Sequence, residues 1–383
     1  MSTNSTDRIR GTLLGLAWGD VLGCPVESWH SADIERVYGR YDGLPAGYPL
    51  DRIRPLGPRT VQRLRPLGLH SDDTQQALAL INVCLRPPWS VALWADWLVA
   101  GKRQRAWRGF GRNFSGAVSQ LERGQLPSGA GSTTAGIGAT MRIGPLGALY
   151  RDQPEHLAKV AFESSLVTHG DIRAGAFSYA IAAAVAALLA DEPVAKIRQT
   201  LPTMVAKHER AWLNGRPEWA IDRNAGPLVS RVLAEFFATD DSDVERVRQR
   251  LCQLARPHLG DLYPKVHPNE AFVLLGGLHA LALALLPEVE PQALLADIVR
   301  QGEDADTVAA IAGSLLGARC GTGWIPRDRL LDRASLERYA DALVTRHGHP
   351  EERDTFLQRE AEWTRQEESY QDNLAARRPG FLF

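Results

Sequence analysis

Apolar residues recur along this chain at intervals of three and four positions, and strict apolar–polar alternation is scarce. Such spacing gathers apolar side chains on one face of a helix, so the pattern predicts helices almost throughout. Ala, Leu, Arg, Glu and Gln dominate these stretches and are good helix formers. No repeat of solenoid length occurs. We therefore expect an all-α fold.

The predicted helices, in chain order, are Arg10–Val21, Thr74–Leu85, Val91–Ala100, His156–Ser165, Arg173–Leu189, Pro227–Ala238, Asp243–Ala255, Glu270–Ala284, Gln292–Gln301, Thr307–Cys320, Leu336–Thr345 and Glu351–Leu374. Pro227 suits a first helical position, where its missing N–H costs nothing. The last helix is highly charged and precedes a tail, Arg377–Phe383. We predict one domain over residues 1–350 with an inserted Pro/Gly/Arg-rich loop near residues 40–70. A charged C-terminal helix and tail would occupy residues 351–383.

Glycines recur every fourth residue in two of these helices. One stripe is Gly11, Gly15 and Gly19, and the other is Gly313, Gly317 and Gly321. An interior glycine costs about 1 kcal/mol of helix stability relative to alanine, so three on one face suggest close helix packing. Tight core packing alone would explain the glycines themselves. Since each stripe adjoins acidic residues, the two helices are also able to bring their polar ends together.

Composition and charge narrow the class of protein. The 383 residues are 44% hydrophobic and 23% charged, which is ordinary for a soluble globular protein. The net charge of −1 provides no field that would recruit nucleic acid or an anionic membrane. The four cysteines form no CxxC motif, and residues 1–10 lack the apolar core of a signal peptide. The most apolar run, Ala180–Ala190, is too short to span a bilayer. We expect a cytoplasmic protein.

Two acidic clusters carry the first candidate chemistry. They are Ser71-Asp72-Asp73-Thr74 and Asp304-Ala305-Asp306-Thr307, and each opens a helix rich in small residues. Either cluster alone is more readily explained as a helix cap, since carboxylates stabilise helix N-termini. Two such clusters exceed what capping needs. Their oxygen ligands suit Mg²⁺ or Mn²⁺ better than zinc. If they meet, they would hold two cations about 3.5–4 Å apart, a spacing that activates water.

Three further segments are weaker signals. The glycine-rich stretch Pro127–Gly147 exposes N–H groups and hydroxyls that suit a phosphate, although it lacks the Gly-Lys-Ser/Thr of a Walker A loop. Asp20 lies at a helix end, where it caps or braces, and Glu27 follows in a turn where a mobile acid is plausible. His169 stands alone in Thr168-His169-Gly170-Asp171. A lone histidine is more often structural than functional.

Taken in order, these motifs resemble the ADP-ribosylglycohydrolase family, which includes the dinitrogenase-reductase-activating glycohydrolase and the ADP-ribosylarginine and ADP-ribosylserine hydrolases. The resemblance extends from about Arg10 to Gly323. It is carried by the segments Gly15–Asp20, Pro25–Glu27, Ser71–Thr74, Gly138–Gly147, Thr168–His169 and Asp304–Ala310.

The resemblance implies an orthogonal multi-helix bundle with a dinuclear Mg²⁺ or Mn²⁺ centre. By position, the implied metal ligands are Ser71, Asp72, Asp73, Asp304, Asp306 and Thr307. Glu27 matches a glutamate on a mobile gating loop, and Glu27 and Asp304 are the implied proton carriers. The implied substrate contacts are Thr134, Gly136 and Gly138, for the diphosphate and ribose, and His169 on the ribose side.

The chain departs from the family pattern at several places. Ser71 replaces a usual threonine, and Ile137 replaces a common asparagine between two glycines. The segment Gly109–Phe114 lacks the acid that positions the guanidinium in arginine-specific members. The insertion carries five arginines: Arg52, Arg54, Arg59, Arg63 and Arg65. We expect this insertion to be a solvated loop, with a lid over an acidic partner or diphosphate as the alternative.

The predicted function is metal-dependent hydrolysis of the bond between ADP-ribose and an acceptor, which reverses ADP-ribosylation of a protein or a small molecule. The alternative is a non-catalytic protein that binds ADP-ribose or shields a partner from an ADP-ribosyltransferase. Another dinuclear-metal hydrolase, such as a phosphatase, would explain the acids but not the ordered motifs. Membranes and nucleic acids are not expected partners. The acceptor, whether arginine, serine, a nucleobase or a metabolite, stays open.

Overall fold

The computed structural model describes residues 3–220, 222–223, 226–260 and 265–376. The predicted tail Arg377–Phe383 lies outside these residues. Helices dominate, and within the described ranges there is no β-strand, only isolated backbone bridges such as that between His30 and Gly302. The all-α prediction is confirmed.

The described residues form nineteen α-helices. In chain order they are α1 Thr3–Gly23, α2 Ser31–Tyr38, α3 Leu50–Ile53, α4 Pro58–Gln62, α5 Asp72–Cys84, α6 Val91–Arg103, α7 Arg112–Glu122, α8 Pro127–Ala130, α9 Gly144–Leu149, α10 Pro154–Leu166, α11 Ile172–Leu189, α12 Val194–Gly215, α13 Leu228–Phe237, α14 Val244–Ala255, α15 Leu278–Ala284, α16 Pro291–Arg300, α17 Ala305–Cys320, α18 Arg333–Thr345 and α19 Arg353–Ala376.

Most predicted helices are present with ends shifted by a few residues, and the differences have local causes. The predicted set lacks α12, whose interior Pro202 reads as a helix breaker but is accommodated here. Pro227 precedes the first helical residue of α13 instead of occupying it. The predicted helix Glu270–Ala284 begins only with a π-helical turn, Val273–Gly277, which leads into α15.

Helices α1 and α17 form the centre of the fold as an antiparallel pair in backbone contact. A Cβ atom at Gly11 would lie 2.5 Å from the carbonyl oxygen of Gly317, closer than real Cβ contacts allow. Gly15 against Gly313 and Gly19 against Ala309 leave still less room. Because the pairing runs in opposite directions along the two helices, the C-terminal end of α1 meets the N-terminal end of α17. The glycines thus bring the two polar ends together.

Helix α11 supports this pair from the core. Among the described residues it is the one helix long and apolar enough, by length and composition, to cross a membrane. However, 83% of it is buried inside the protein. Such burial is typical of the core helix of a globular fold, which agrees with the interpretation of its alanine-rich run.

The insertion and the C-terminal helix pack against the body. Within the segment near residues 40–70, α3, a short 3₁₀ turn and α4 lie between irregular stretches, so the predicted inserted loop contains short helices. The preference for a solvated segment is wrong for Arg65, which is only 4% exposed, whereas Arg52, Arg59 and Arg63 are exposed. Helix α19 packs on α4, α5 and α6. The division into residues 1–350 and 351–383 stays a prediction.

Candidate metal centre and substrate cleft

The first acidic cluster forms the start of α5 and is fixed there by Asp20 of α1. Ser71 is the N-cap, and its hydroxyl accepts from the Asp73 N–H at 3.2 Å and donates to Asp73 Oδ2 at 2.9 Å. The Asp20 carboxylate accepts from the backbone N–H of Ser71 at 3.0 Å and from the Thr74 hydroxyl at 2.6 Å. Asp20 is therefore a brace that locks the start of α5 onto α1.

The second acidic cluster forms the start of α17. Asp304 occupies the N-cap position, yet its side chain makes no capping hydrogen bond. Its backbone N–H donates to the carbonyl of Asn269 at 3.1 Å, which holds this turn in place. Asp306 accepts from the Thr307 N–H at 3.0 Å. The Asp304 carboxylate is therefore not used for capping and remains available to bind a cation.

The two clusters meet in one cleft of about 530 Å³. Ten of the eleven predicted site residues line it: Glu27, Asp72, Asp73, Thr134, Gly136, Gly138, His169, Asp304, Asp306 and Thr307. The exception is Ser71, which is buried behind Asp73 and does not line the cleft. Residues from five distant parts of the chain thus share one concave site.

The carboxylates of this cleft are crowded and poorly solvated. Burial, and after it repulsion from neighbouring carboxylates, raises the pKa of Asp72 to about 8. Burial, and after it repulsion from Glu27, raises the pKa of Asp304 to about 7. The same two causes raise the pKa of Asp73 and Asp306 well above the usual range. Buried like charges of this density are costly unless protons or cations neutralise them.

The donor set fits hard divalent cations. Asp73 Oδ1 is buried and has no hydrogen-bond partner, so one oxygen already points at an unfilled contact. The cleft supplies carboxylates and the Thr307 hydroxyl, which are oxygen ligands of the kind Mg²⁺ and Mn²⁺ prefer. One side-chain ligand atom each of Asp20, Cys24 and Asp306 also lies within 4.8 Å of the others. However, the Asp20 carboxylate already accepts hydrogen bonds from the start of α5. We therefore place the candidate ligands in the cleft.

Arg142 is a positioning residue that sequence reasoning missed, although it lies within the segment Gly138–Gly147. It is 1% exposed and donates to Gln76 Oε1 at 2.5 Å, and Gln76 donates to Asp72 Oδ2 at 2.6 Å. It also donates to the Thr168 hydroxyl at 2.8 Å, which contacts His169 Nδ1 at 3.0 Å. One buried guanidinium thus orients both the first acidic cluster and His169.

His169 lies against the glycine-rich loop. Burial, reinforced by Arg142, lowers the pKa of His169 to about 3, so the imidazole is neutral at physiological pH. A Cβ atom at Gly138 would lie 3.2 Å from His169 Cε1, and one at Gly136 would lie 3.3 Å from Cδ2. These two glycines therefore allow the ring to sit directly on the loop backbone. Ile137 is buried between them.

Glu27 stands at the lip of the cleft, just after a 3₁₀ turn, with 23% of its side chain exposed. Guanidinium nitrogens of Arg63 and Arg65 each lie 3.9 Å from its carboxylate. Arg65 is a second residue that sequence reasoning did not single out. Nothing in the sequence separates it from the exposed arginines of the same insertion.

Comparison with known proteins identifies the family to which this chain is similar. The model of the family described as ADP-ribosylglycohydrolase matches residues 1–353. An uncharacterized protein of Escherichia coli, YegU, is 27% identical over 369 residues, covering 88% of this chain and 97% of its own length. The ADP-ribosyl-[dinitrogen reductase] glycohydrolase of Rhodospirillum rubrum is 22% identical, covering 89% and 97%.

A solved structure is similar in fold. It is described as an ADP-ribosylglycohydrolase-related protein complex, and it superposes with a TM-score of 0.63 at 23% identity. The likeness covers 90% of this chain and 99% of the other. The predicted helical fold type is therefore confirmed.

Proposed function

Since the chain belongs to the ADP-ribosylglycohydrolase family, we propose that it hydrolyses the glycosidic bond between ADP-ribose and an acceptor, with two divalent cations, Mg²⁺ or Mn²⁺, at the base of the cleft. The substrate would be an ADP-ribosylated protein or an ADP-ribosyl small molecule. The four free cysteines are consistent with the cytoplasmic location that we expect.

One observation supports this proposal above the others. Asp72 and Asp73 from α5 and Asp304 and Asp306 at the start of α17 line one cleft, with raised pKa values and an unpartnered Asp73 Oδ1. Helix capping does not require four carboxylates in one cleft, three of them buried and Asp304 half-buried. A metal centre does, because cations offset the repulsion among these groups.

The residues divide into two groups by position. The carboxylates and Thr307 would hold the cations, with Ser71 orienting Asp73 from behind instead of lining the cleft. Bound cations supply Lewis-acid charge that activates water for attack. Across the cleft, the loop containing Thr134, Gly136 and Gly138 would hold the diphosphate and ribose. His169, being neutral, would donate or accept one hydrogen bond at the ribose without adding charge.

The reaction needs one proton carrier on the protein. Water forms a bond to C1″ of the ribose as the bond from C1″ to the acceptor breaks. The water proton passes to Asp304 or Glu27, and that carboxyl group returns the proton to the departing acceptor. The products are free ADP-ribose and an unmodified acceptor. Both carboxylates line the same cleft, Asp304 among the candidate metal ligands and Glu27 at its edge.

The test is release of ADP-ribose from ADP-ribosyl-arginine and ADP-ribosyl-serine peptides with Mg²⁺, Mn²⁺ or chelator. We expect release with either cation and none with chelator. Metal-independent release would contradict the proposed centre. Tight ADP-ribose binding without release from any ADP-ribosyl substrate would instead support the non-catalytic binding protein. Hydrolysis of a phosphomonoester alone would indicate a phosphatase.

A further inference from the structure

The turn immediately before Asp304 has an unusual backbone. Gly302 and Glu303 have φ values of 72° and 54°, and the left-handed region is unfavourable for a residue such as Glu303 that carries a Cβ atom. This turn connects α16 to α17 and sets where the backbone of Asp304, a residue that lines the cleft, begins α17. A conformation of this kind persists only where surrounding contacts hold it.

The same turn pairs with the segment that follows Glu27. The Glu303 N–H donates to the Trp29 carbonyl at 2.8 Å, and the Glu303 carbonyl accepts at 2.7 Å from the N–H of the residue after Glu27. A Cβ atom at Gly302 would lie 2.1 Å from the Trp29 carbonyl oxygen, so glycine is needed for this close approach. The two candidate proton carriers, Glu27 and Asp304, thus adjoin one piece of paired backbone.

Asn269 holds this turn from inside the protein, where it is 0% exposed. Its backbone carbonyl accepts from the Asp304 N–H at 3.1 Å. Its side-chain Nδ2 donates to the carbonyl oxygens of Ile298 and Gly302, each at 2.9 Å. Both amide hydrogens of Asn269 are therefore used on the last turn of α16 and on the turn that follows it.

His279 and Arg248 determine which way the Asn269 amide is turned. Arg248 Nε, which is always protonated, donates to His279 Nε2 at 3.1 Å, so the ring carries its hydrogen on Nδ1. His279 Nδ1 lies 2.8 Å from Asn269 Oδ1 and donates to it. Burial, reinforced by Arg248, lowers the pKa of His279 well below its usual value, which agrees with a neutral ring. The amide oxygen of Asn269 thus faces the histidine, and its NH₂ faces the turn.

We infer that Asn269 is a positioning residue that sets Glu27 and Asp304 together, through the one turn that both adjoin, with His279 orienting its amide. The inference rests on the proposed function for the role of these two carboxylates. Asn269, His279 and Arg248 do not line the cleft, so they do not contact a cation or substrate there. Any effect of this group on the reaction must therefore pass through the turn.

The test is Asn269→Asp, which keeps the size of the side chain but turns a carboxylate oxygen toward the Ile298 and Gly302 carbonyls. Acceptor then faces acceptor, and the turn loses two hydrogen bonds. We expect the Kd of Mn²⁺ alone, measured by calorimetry, to rise about 10- to 100-fold, as for other outer partners of metal ligands. With Mn²⁺ saturating, kcat should fall about 10- to 100-fold. KM should change by less than about threefold, since the turn contains no predicted substrate contact.

A matched pair at His279 separates positioning from loss of packing, and it remains decisive if Asn269→Asp does not fold. His279→Asn places an amide NH₂ near the former Nδ1–H and keeps a donor to Asn269, whereas His279→Leu removes the donor. Both variants lose the contact with Arg248. We expect near wild-type Mn²⁺ affinity in His279→Asn and a loss of about tenfold in His279→Leu. Asn82→Asp, at another asparagine that is 0% exposed but outside the cleft, is the control and should keep the wild-type affinity.

Asn269→Asp in the Glu27→Gln and Asp304→Asn backgrounds identifies the proton carrier that the turn positions. Where that carrier is already lost, the further fall in kcat should shrink to less than about threefold, because contacting groups are not additive. A full further loss in both backgrounds would overturn the inference, as would equal Mn²⁺ affinities of His279→Asn and His279→Leu. If the wild-type protein hydrolyses no ADP-ribosyl substrate, the proposed function fails, and the Mn²⁺ affinities alone still decide the positioning role.

Discussion

The α1–α17 pair and the mouth of the cleft position residues around one site by opposite means. In the helix pair, glycines bring backbone against backbone, and the carboxylates follow from where the helices end. At the mouth, long charged side chains from the insertion and α19 meet through ion pairs of 3.6–3.9 Å. Backbone contact has no slack, whereas long side chains can be exchanged or re-aimed. The carboxylates of the candidate metal centre should therefore tolerate little change, and the side chains at the mouth considerably more.

The largest effect should come from adding one methyl group between α1 and α17. In Gly15→Ala the new Cβ would overlap the Gly313 carbonyl, and no flexible side chain can move aside. We expect the free energy of unfolding to fall by about 3 kcal/mol or more, measured by denaturant titration. Gly116→Ala in α7 is the matched control, since its Cβ meets no atom within 4 Å. It should be neutral or stabilise by about 1 kcal/mol. Similar stability of the two variants would show that the helices separate easily.

The next effect concerns the carboxylates that this packing holds in place. Asp73→Asn keeps the shape but removes a charged ligand, so kcat should fall by more than the roughly 100-fold that loss of an outer partner costs. Stability without metal should be unchanged or higher, because one buried like charge is gone. Asp354→Asn, 68% exposed on α19, serves as the control. Undiminished turnover by the Asp73 variant with metal present would refute its assignment as a ligand.

Metal and pH should act on the same carboxylates in opposite senses. Folding raises the pKa of Asp72 from 3.8 to about 8 and that of Asp304 from 3.8 to about 7. Between the ordinary and the raised pKa values, the folded protein therefore binds more protons than the unfolded chain. The free energy of unfolding of the metal-free protein, kept in chelator, should thus fall as pH rises from about 4 to 8. Mg²⁺ or Mn²⁺ at 100 times Kd should restore about 2.7 kcal/mol at pH 8. The restoration should be smaller at pH 5, where protons compete. Thermal melts that are flat with pH would contradict the buried cluster.

How much of this could be read from the sequence differs between the two regions. The acidic clusters and glycine stripes are local patterns whose spacing survives folding, so the meeting of α1 and α17 could be anticipated. Arg65 and Glu367 could not, because buried and exposed members of a charged segment have the same local pattern. Which arginine turns inward depends on α19, which is distant in sequence. Pro202 misled for the same reason, since tertiary packing offsets its local cost.

A substitution at Arg142 would test whether the candidate metal centre depends on more than the backbone contact between α1 and α17. Arg142→Lys keeps the charge but loses the planar fork that joins Gln76 to Thr168. We expect metal affinity, measured by calorimetry, to fall about 10- to 100-fold, as for other outer partners of metal ligands. Arg86→Lys is a suitable control, because this half-buried arginine bonds Asn82 away from the cleft. Unchanged affinity in the Arg142 variant would show that α5 alone fixes Asp72.

The smallest effect should come from the mouth, at Arg63. Its guanidinium is 58% exposed and 3.9 Å from Glu27, which Arg65 also faces. Exposed ion pairs contribute about 0–1 kcal/mol, so Arg63→Ala should change kcat/KM by less than about fivefold. Any change should shrink further at high salt. Arg59→Ala, an exposed arginine of the same insertion, should match wild type. If Arg63→Ala instead cost more than tenfold, Glu27 would depend on this single exposed contact. The mouth would then be as intolerant of change as the helix pair, and the contrast between the two regions would fail.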